Sequence, residues 1–269
     1  MAGCIVVKIG GSTLGAGDTS LEDLVRLQRE GRPIVVVHGG GLAISDGLRR
    51  LDAPTRFVRG LRVTDAAALE VVVAVLAGTI NKQLTAAVNS LGGRACGLSG
   101  ADGCILQAVC EDEELGFVGR ITAVDIRPVV ALLDAGFLPM LAPIAVMLDA
   151  SGSVSAQLLN VNADTVAGEI AVALGAERLV FLTDVDGVRG KGGEVLRELA
   201  RPQAEALLQA GVIAGGMIPK VEAGLRTGSC GTSCVILDGR EPGRLLAALS
   251  PDAPGTAIAG LRPHGGGGR

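Results

Sequence analysis

Cys4-Ile5-Val6-Val7-Lys8-Ile9-Gly10-Gly11 is a short apolar run, broken by one lysine and closed by a glycine pair. Such a run predicts a strand whose end exposes backbone N–H groups, where an anion can approach without meeting a Cβ. Lys8 adds a full positive charge at that end. Taken alone, Gly-Gly after a strand reads equally well as a turn. Its weight comes from two further elements, His38-Gly39-Gly40-Gly41 after a second apolar run and Gly215-Gly216-Met217-Ile218-Pro219-Lys220 near the other end of the chain. Three glycine elements, two of them carrying a lysine, predict one site that handles phosphate.

Working outward, apolar strands alternate with helix-period stretches. Cys4–Ile9 precedes a helix around Leu21–Arg29, and Ile34–Val37 precedes a helix from about Leu42 to Leu51. This is the rhythm of β-α-β units and a mostly parallel sheet. Helix-period segments follow at Ala66–Ala77, with Thr64 or Asp65 as N-cap, and around Asn81–Ser90. Between Ala95 and Met147, short apolar runs broken by Gly, Asp and Pro read as strands and hairpins, with a helix near Ile126–Ala135. Asn162–Leu174 reads as an Ala/Val-rich helix. The strand-helix pattern restarts at Arg178, with strands at Leu179–Leu182 and Ser233–Leu237 and helices near Pro202–Ala210 and Ile218–Arg226. Two lobes follow, residues 1–175 and 176–269, and the glycine run in the tail His264–Arg269 predicts disorder.

Composition narrows the function. The 269 residues are 48% apolar yet 1% aromatic, with no Trp or Tyr, so the core is built from Val, Leu, Ile and Ala, as in a sheet covered on both faces. Too few aromatic rings are present for stacking on single-stranded nucleic acid, and the net charge of −4 supplies no basic field, so no nucleic-acid partner is expected. The six cysteines form no Cys-x-x-Cys pair and only His38 and His264 accompany them, against a zinc site and for small buried hydrophobes in a reducing compartment. No charged-then-apolar leader is evident, and the longest apolar run, around Val71–Ala77, is too short to cross a bilayer. A cytoplasmic protein without a membrane partner is expected.

Phosphoryl transfer is catalysed mostly by positioning, positive charge and N–H donors. Lys8 and Lys220 each lie close to glycines that admit a ligand to the backbone. Either lysine alone reads as well as a solvated surface charge; together, each beside a glycine cluster, they favour a site. The sequence holds no Gly-x-x-x-x-Gly-Lys-Ser/Thr loop, and Gly39-Gly40-Gly41 lacks the spaced third glycine of a dinucleotide fingerprint.

The ordered set Lys8-Ile9-Gly10-Gly11, His38-Gly39-Gly40-Gly41, Gly60-Leu61-Arg62-Val63-Thr64, Asn160-Val161-Asn162-Ala163-Asp164 and Gly216-Met217-Ile218-Pro219-Lys220 resembles the N-acetylglutamate kinases, members of the amino acid kinase family. Connecting segments such as Asn81-Lys82 and Leu182-Thr183-Asp184-Val185-x-Gly187-Val188 are similar too, and the resemblance spans about residues 4–258. It implies an open α/β/α sandwich with an amino-acid-binding, dimer-forming first lobe and an ATP-binding second lobe. It implies transfer of the ATP γ-phosphoryl to the side-chain carboxylate of N-acetyl-L-glutamate, in arginine biosynthesis. A carboxylate acceptor is already ionised near neutral pH, so the scarcity of histidine is no obstacle. Two anions must meet, however, and that calls for fixed positive charge.

By this resemblance, Lys8 and Lys220 supply that charge and Asp164 orients them. Gly39 and Gly40 bind the phosphoryl group and substrate, Arg62 grips the substrate's α-carboxylate, and Asn160 binds the substrate. Gly10, Gly11, Thr183, Asp184, Gly187, Gly216 and Met217 surround the nucleotide, and Mg2+ arrives with ATP rather than in a protein cage. The plainer alternatives stand beside these roles. Arg56, Arg59 and Arg62 together suit a generic basic loop, Asn160 suits a helix cap unless Asn162 fills that place, and Asp164 suits any helix first turn. His38 reads as a packed strand-end histidine.

Only Met1-Ala2-Gly3 precede Cys4, and Leu246–Thr256 departs from the pattern of arginine-controlled members, so a homodimer without arginine feedback is expected. The apolar stretch around Glu70–Leu76 is the expected dimer surface. Two other functions remain open: a related kinase acting on carrier-protein-bound aminoadipate or glutamate in lysine biosynthesis, and a non-catalytic sensor on the same fold.

Overall fold

Strand β1 (Ile5–Ile9) forms where the first apolar run predicts it, and every one of its residues is buried. The computed structural model describes residues 3–10 and 18–258, so the expectations for Gly11 and for the tail lie outside the described residues. Helix α1 (Ser20–Arg29), strand β2 (Ile34–His38) and helix α2 (Gly41–Arg50) complete the opening unit. A hairpin of β3 (Phe57–Val58) and β4 (Leu61–Arg62) precedes α3 (Ala66–Val73), a π-helical stretch at Ala74–Ile80, and α4 (Asn81–Ser90). Next come β5 (Ala95–Ser99), β6 (Leu106–Cys110), β7 (Gly119–Val124), α5 (Arg127–Asp134), β8 (Leu138–Ala142), β9 (Ile144–Leu148), β10 (Val154–Asn160) and α6 (Ala163–Leu174). The remainder is β11 (Arg178–Thr183), β12 (Glu198–Leu199), α7 (Arg201–Gln209), α8 (Met217–Gly228), β13 (Ser233–Asp238), α9 (Arg244–Ala247) and β14 (Thr256–Ile258).

Eight strands form one sheet in the order β12-β14-β13-β11-β1-β2-β8-β5, parallel except where β14 runs against β13. Helices cover both faces, which is the expected α/β/α sandwich. The Val- and Ile-rich strands alternate their side chains between two cores. Val6, Val35, Phe181 and Ile236 pack on the side of α6 and α8. Ile5, Val7, Val36 and Val180 pack on the side of α1 and α4. Burying each Val, Leu or Ile of this kind contributes about 1.5–3 kcal/mol. The period-2 alternation puts Lys8 on the same face as Cys4 and Val6, the face covered by α6.

Strand β1 sits between β2 and β11, with Lys8 level with Val37 on one side and Phe181 on the other. The chain leaves β1 in one direction along the sheet and returns on its other side, so the carboxyl end of β1 lies at a switch of strand order. Ligands of open parallel sheets bind in the crevice outside the strands at such a switch. The sheet continues without a break across residue 175, because β1 pairs with β11.

Several expectations change. The helices Ala66–Ala77 and Asn81–Ser90 are one continuous 25-residue helix, Ala66–Ser90, joined through the π-helical stretch. It is capped by Asp65, whose side chain accepts from the Ala68 N–H, and not by Thr64. That helix is also long and apolar enough, by length and composition alone, to cross a membrane, which overturns the argument that its apolar run is too short. Finally, only Cys4 and Cys234 are buried, whereas Cys110 and Cys230 are exposed. The Ala95–Met147 region does more than form hairpins: β5 and β8 join the main sheet in parallel, and β6, β7 and β9 form a second sheet with β10.

Candidate active site

Lys8 reaches from the end of β1 toward the first turn of α6. Its Nζ lies 2.8 Å from Asp164 Oδ1, and Lys220 Nζ from α8 lies 2.9 Å from Asp164 Oδ2. Two lysines from opposite ends of the chain thus share one carboxylate, each on its own oxygen. Asp164 is 5% exposed and Lys8 7%. Burial alone would raise the Asp164 pKa, but the ammonium groups of Lys8 and Lys220 overcome it and hold the carboxyl below its ordinary value. The ionised carboxylate is the counter-charge that allows two ammonium groups to be held this close.

Local sequence explains the placement of Asp164. Asn162 is the N-cap of α6, its Oδ1 accepting from the Asp164 and Thr165 N–H groups. Asp164 in the first turn then lies at the positive end of the helix dipole. Lys220 also donates to Gly216 O at 2.9 Å, one turn back on α8, which steadies its side chain toward the cleft.

Lys8 and Asp164 share a cleft of about 230 Å³ with Gly39, Gly40, Arg62, Asn160 and Phe57. Arg62 reaches it from a hairpin whose two-residue turn, Arg59-Gly60, has positive φ at both positions (50° and 81°), the geometry that matches strand twist. The three nearby arginines separate cleanly. Arg56 and Arg59 are exposed and pair with Glu114 and Asp112, pinning the hairpin to the loop before β7. Arg62 is 8% exposed and turns inward. One of its terminal nitrogens donates to Gly41 O and Ser45 Oγ, while Nη1 is buried with no partner among the described residues. Burial draws the Arg62 pKa down from its usual value, and a buried guanidinium with an unmet N–H is a receptor for an anion.

Asn160 closes β10 and donates to Thr64 Oγ1 at 3.2 Å, and Thr64 donates to Arg62 O at 2.8 Å. This chain ties Asn160 to the arginine strand. Gly40 has a different reason to be glycine: a Cβ there would strike Ile80 and Leu76 on the π-helical stretch.

Not every expected residue meets at this cleft. Gly216 lines an adjoining cleft that shares Asp164 and Asn162 with the first, and Met217 opens α8 against the core. Gly10 donates to Leu182 O at the end of β11. Thr183, Asp184 and Gly187 line neither cleft; they lie at the end of β11 and in the loop after it. There Thr183 Oγ1 accepts from the Val185 N–H at 3.0 Å. Gly187 is held by packing, since a Cβ would strike Thr256 Oγ1 and Val195.

Two residues of this site escape sequence reasoning. Phe57 is 55% exposed and stacks on Arg62, whose Cζ lies 4.7 Å from the ring centroid. It is one of only four phenylalanines in the chain and stands directly across the hairpin from Arg62, which is the signal that would have found it. Thr64 is fully buried, and its role as a bridge needs coordinates.

The sequence model of the amino acid kinase family matches residues 3–238. The chain belongs to the amino acid kinase family. Within that family it is 43% identical to an acetylglutamate kinase of Dehalococcoides mccartyi over 95% of this chain and 94% of that one. It is 42% identical to an acetylglutamate kinase of Cereibacter sphaeroides over 97% of this chain and 89% of that one. Among solved structures, smu.665 from Streptococcus mutans superposes with a TM-score of 0.81 at 28% identity, over 97% of this chain and all of that one. As an amino acid kinase, the chain has its candidate cleft where the family fold leaves a switch of strand order.

Proposed function

We infer that this chain is an acetylglutamate kinase, moving the γ-phosphoryl of ATP to the side-chain carboxylate of N-acetyl-L-glutamate to give N-acetyl-L-glutamyl 5-phosphate in arginine biosynthesis. The observation that carries this reading is the convergence of Lys8 and Lys220 on Asp164 beside a buried Arg62 with an unmet N–H. The names of the relatives, at 42–43% identity over nearly the whole chain, support the choice of substrate.

In this reading the acceptor's α-carboxylate lies on Arg62, flat enough to be gripped by the fork of the guanidinium. Asn160 holds the acyl-amino part, and the Gly39–Gly40 backbone faces the side-chain carboxylate. ATP approaches from the side of β11 and α8, past Gly10, Thr183, Asp184, Gly187, Gly216 and Met217. As the phosphoryl passes between two oxygens, charge spreads over its outer oxygens, and Lys8 and Lys220 neutralise it from two sides. Asp164 serves as the scaffold that aims both. No general base is required, because the nucleophile is an ionised carboxylate.

Magnesium belongs with the nucleotide phosphates in this scheme. Both Asp164 oxygens face lysine ammonium groups, and no cluster of three metal-ligating side chains occurs among the described residues. Bound with ATP, the ion would neutralise phosphate charge.

The partner is a second copy of the chain. Within the expected Glu70–Leu76 surface, Val72 and Leu76 are buried in the chain's own core. The first half of the helix Ala66–Ser90 instead exposes Ala66, Ala67, Glu70, Ala74, Gly78 and Thr79, mostly small side chains that suit close helix packing. A water-soluble cytoplasmic homodimer also accounts for this helix better than a membrane span, because Asn81 in its second half is fully buried and bonded to the sheet.

A coupled assay with N-acetylglutamate, glutamate and carrier-bound aminoadipate tests the reading. Turnover confined to N-acetylglutamate supports it, and turnover only with the carrier-bound substrate refutes it. Lys8→Ala losing turnover while retaining nucleotide binding separates an enzyme from a sensor.

A further inference from the structure

The Gly39–Gly40 loop separates two hollows. On one side is the cleft that holds Lys8; on the other is an apolar hollow of about 180 Å³ lined by His38, Ile9, Ile80 and Leu84. His38 closes β2, is 1% exposed, and has a partner at each ring nitrogen. Nδ1 lies 3.1 Å from Gly39 O, and Nε2 lies 3.0 Å from Asn81 Nδ2. A carbonyl oxygen only accepts and a carboxamide nitrogen only donates. The partners therefore assign the tautomer: Nδ1–H donates to Gly39 O, and Nε2 is an acceptor that shares the two N–H groups of the Asn81 amide with two backbone carbonyls.

Asn81 is itself held in one orientation. It is fully buried, and its Nδ2 also lies 2.8 Å from Met140 O and 3.1 Å from Leu98 O, carbonyls of β8 and β5. Its Oδ1 accepts from Lys82 Nζ at 3.0 Å. Turning the amide over would set its oxygen against two carbonyl oxygens.

The Gly39–Gly40 peptide is trans, so its carbonyl and its N–H point in opposite directions. Tying Gly39 O to the imidazole turns the Gly40 N–H away from His38, to the side where Lys8 stands. Among the described residues no protein acceptor meets that N–H. We propose that Asn81 and His38 are positioning residues for the transfer reaction proposed above, fixing the Gly39–Gly40 peptide so that its N–H is presented to the phosphoryl group. Burial pushes the His38 pKa down to about 4, and Lys8 and Lys82, the charged groups that face it, push the same way. The imidazole is therefore neutral at the pH where such an enzyme works, and its hold on the loop does not vary with acidity there.

With only two histidines in the chain, imidazole nitrogen NMR reads this directly. The full-length protein carrying His264→Asn, labelled with ¹⁵N-histidine, is expected to show one neutral ring in the Nδ1–H tautomer, unchanged between about pH 5 and 9. An Nε2–H tautomer, or ordinary titration, would overturn the relay. In kinetics, His38→Leu is expected to lower kcat by roughly 10- to 100-fold, as for loss of an aligned oxyanion donor, with KM for both substrates nearly unchanged. His38→Asn, whose amide nitrogen stands near the lost Nδ1, should restore most of it. Equal kcat in His38→Leu and wild type refutes the proposal. Absence of wild-type turnover with N-acetylglutamate would instead sink the substrate assignment, with the tautomer measurement still deciding the relay.

Discussion

Lys8 Nζ and Asp164 Oδ1 lie 2.8 Å apart, joining the end of the central strand to the first turn of the helix that covers it. With Lys220 on the other carboxylate oxygen, this contact makes Asp164 a charge that is costly to remove. Asp164→Ala would leave two mostly buried ammonium groups facing each other, and is expected to lower stability by about 3–5 kcal/mol in urea unfolding as well as abolishing turnover. The triple change Lys8→Met, Asp164→Leu, Lys220→Met should regain much of the stability and none of the activity. An Asp164→Ala protein as stable as wild type would show that the cluster carries no such strain.

Arg62 and lysine are not equivalent here. Arg62→Lys keeps the charge but loses the fork that meets Gly41, Ser45 and an incoming carboxylate. KM for the acceptor should rise about tenfold or more, the value for one charged hydrogen bond, while KM for ATP is unchanged. Initial-rate kinetics with each substrate varied in turn checks it.

Phe57 is exposed, so its truncation should leave stability within about 0.5 kcal/mol of wild type. Its ring nevertheless steadies the Arg62 guanidinium. Phe57→Ala is expected to raise KM for the acceptor by roughly threefold to fivefold, the size of a partly exposed cation–π contact.

Acidity gives a further test. His38 is neutral in the folded chain, with its pKa pushed from 6.5 to about 4 by burial. Between those values the unfolded chain binds a proton that the folded chain refuses, so stability is full above about pH 6.5 and falls as the pH drops toward 4. At about 1.4 kcal/mol per pH unit, this amounts to about 3 kcal/mol. His38→Asn should flatten that part of the stability curve, measured by urea midpoints at several pH values.

The sheet was legible because β1, β2, β11 and β13 are runs of Val, Ile and Leu set between helix-period segments. The lysine pair was legible because Lys8 and Lys220 each lie close to a glycine pair next to an apolar element, and the two together favour a site that either alone does not. Strands β12 and β14 were not, being two or three residues long and too short to show alternation. The assignment of β5 and β8 to the main sheet, and of β6, β7 and β9 to the second, depends on long-range pairing that local pattern does not carry. Phe57 was missed, and Asn81 was read only as part of a family-like connecting segment, for a related reason. Their importance lies in what stands across a hairpin or beneath a helix, not in their neighbours along the chain.

The π-helical stretch at Ala74–Ile80 sets the phase of everything after it on that helix. Relaxing that stretch to ordinary α spacing at unchanged length would turn everything after it by about one residue's rotation, about 100°. Asn81 would swing off the carbonyls of two strands, and Leu76 and Ile80 would no longer back the glycine loop together. The seven residues Ala74–Ile80 therefore set the direction in which Asn81 faces by their backbone spacing and not by their side chains alone.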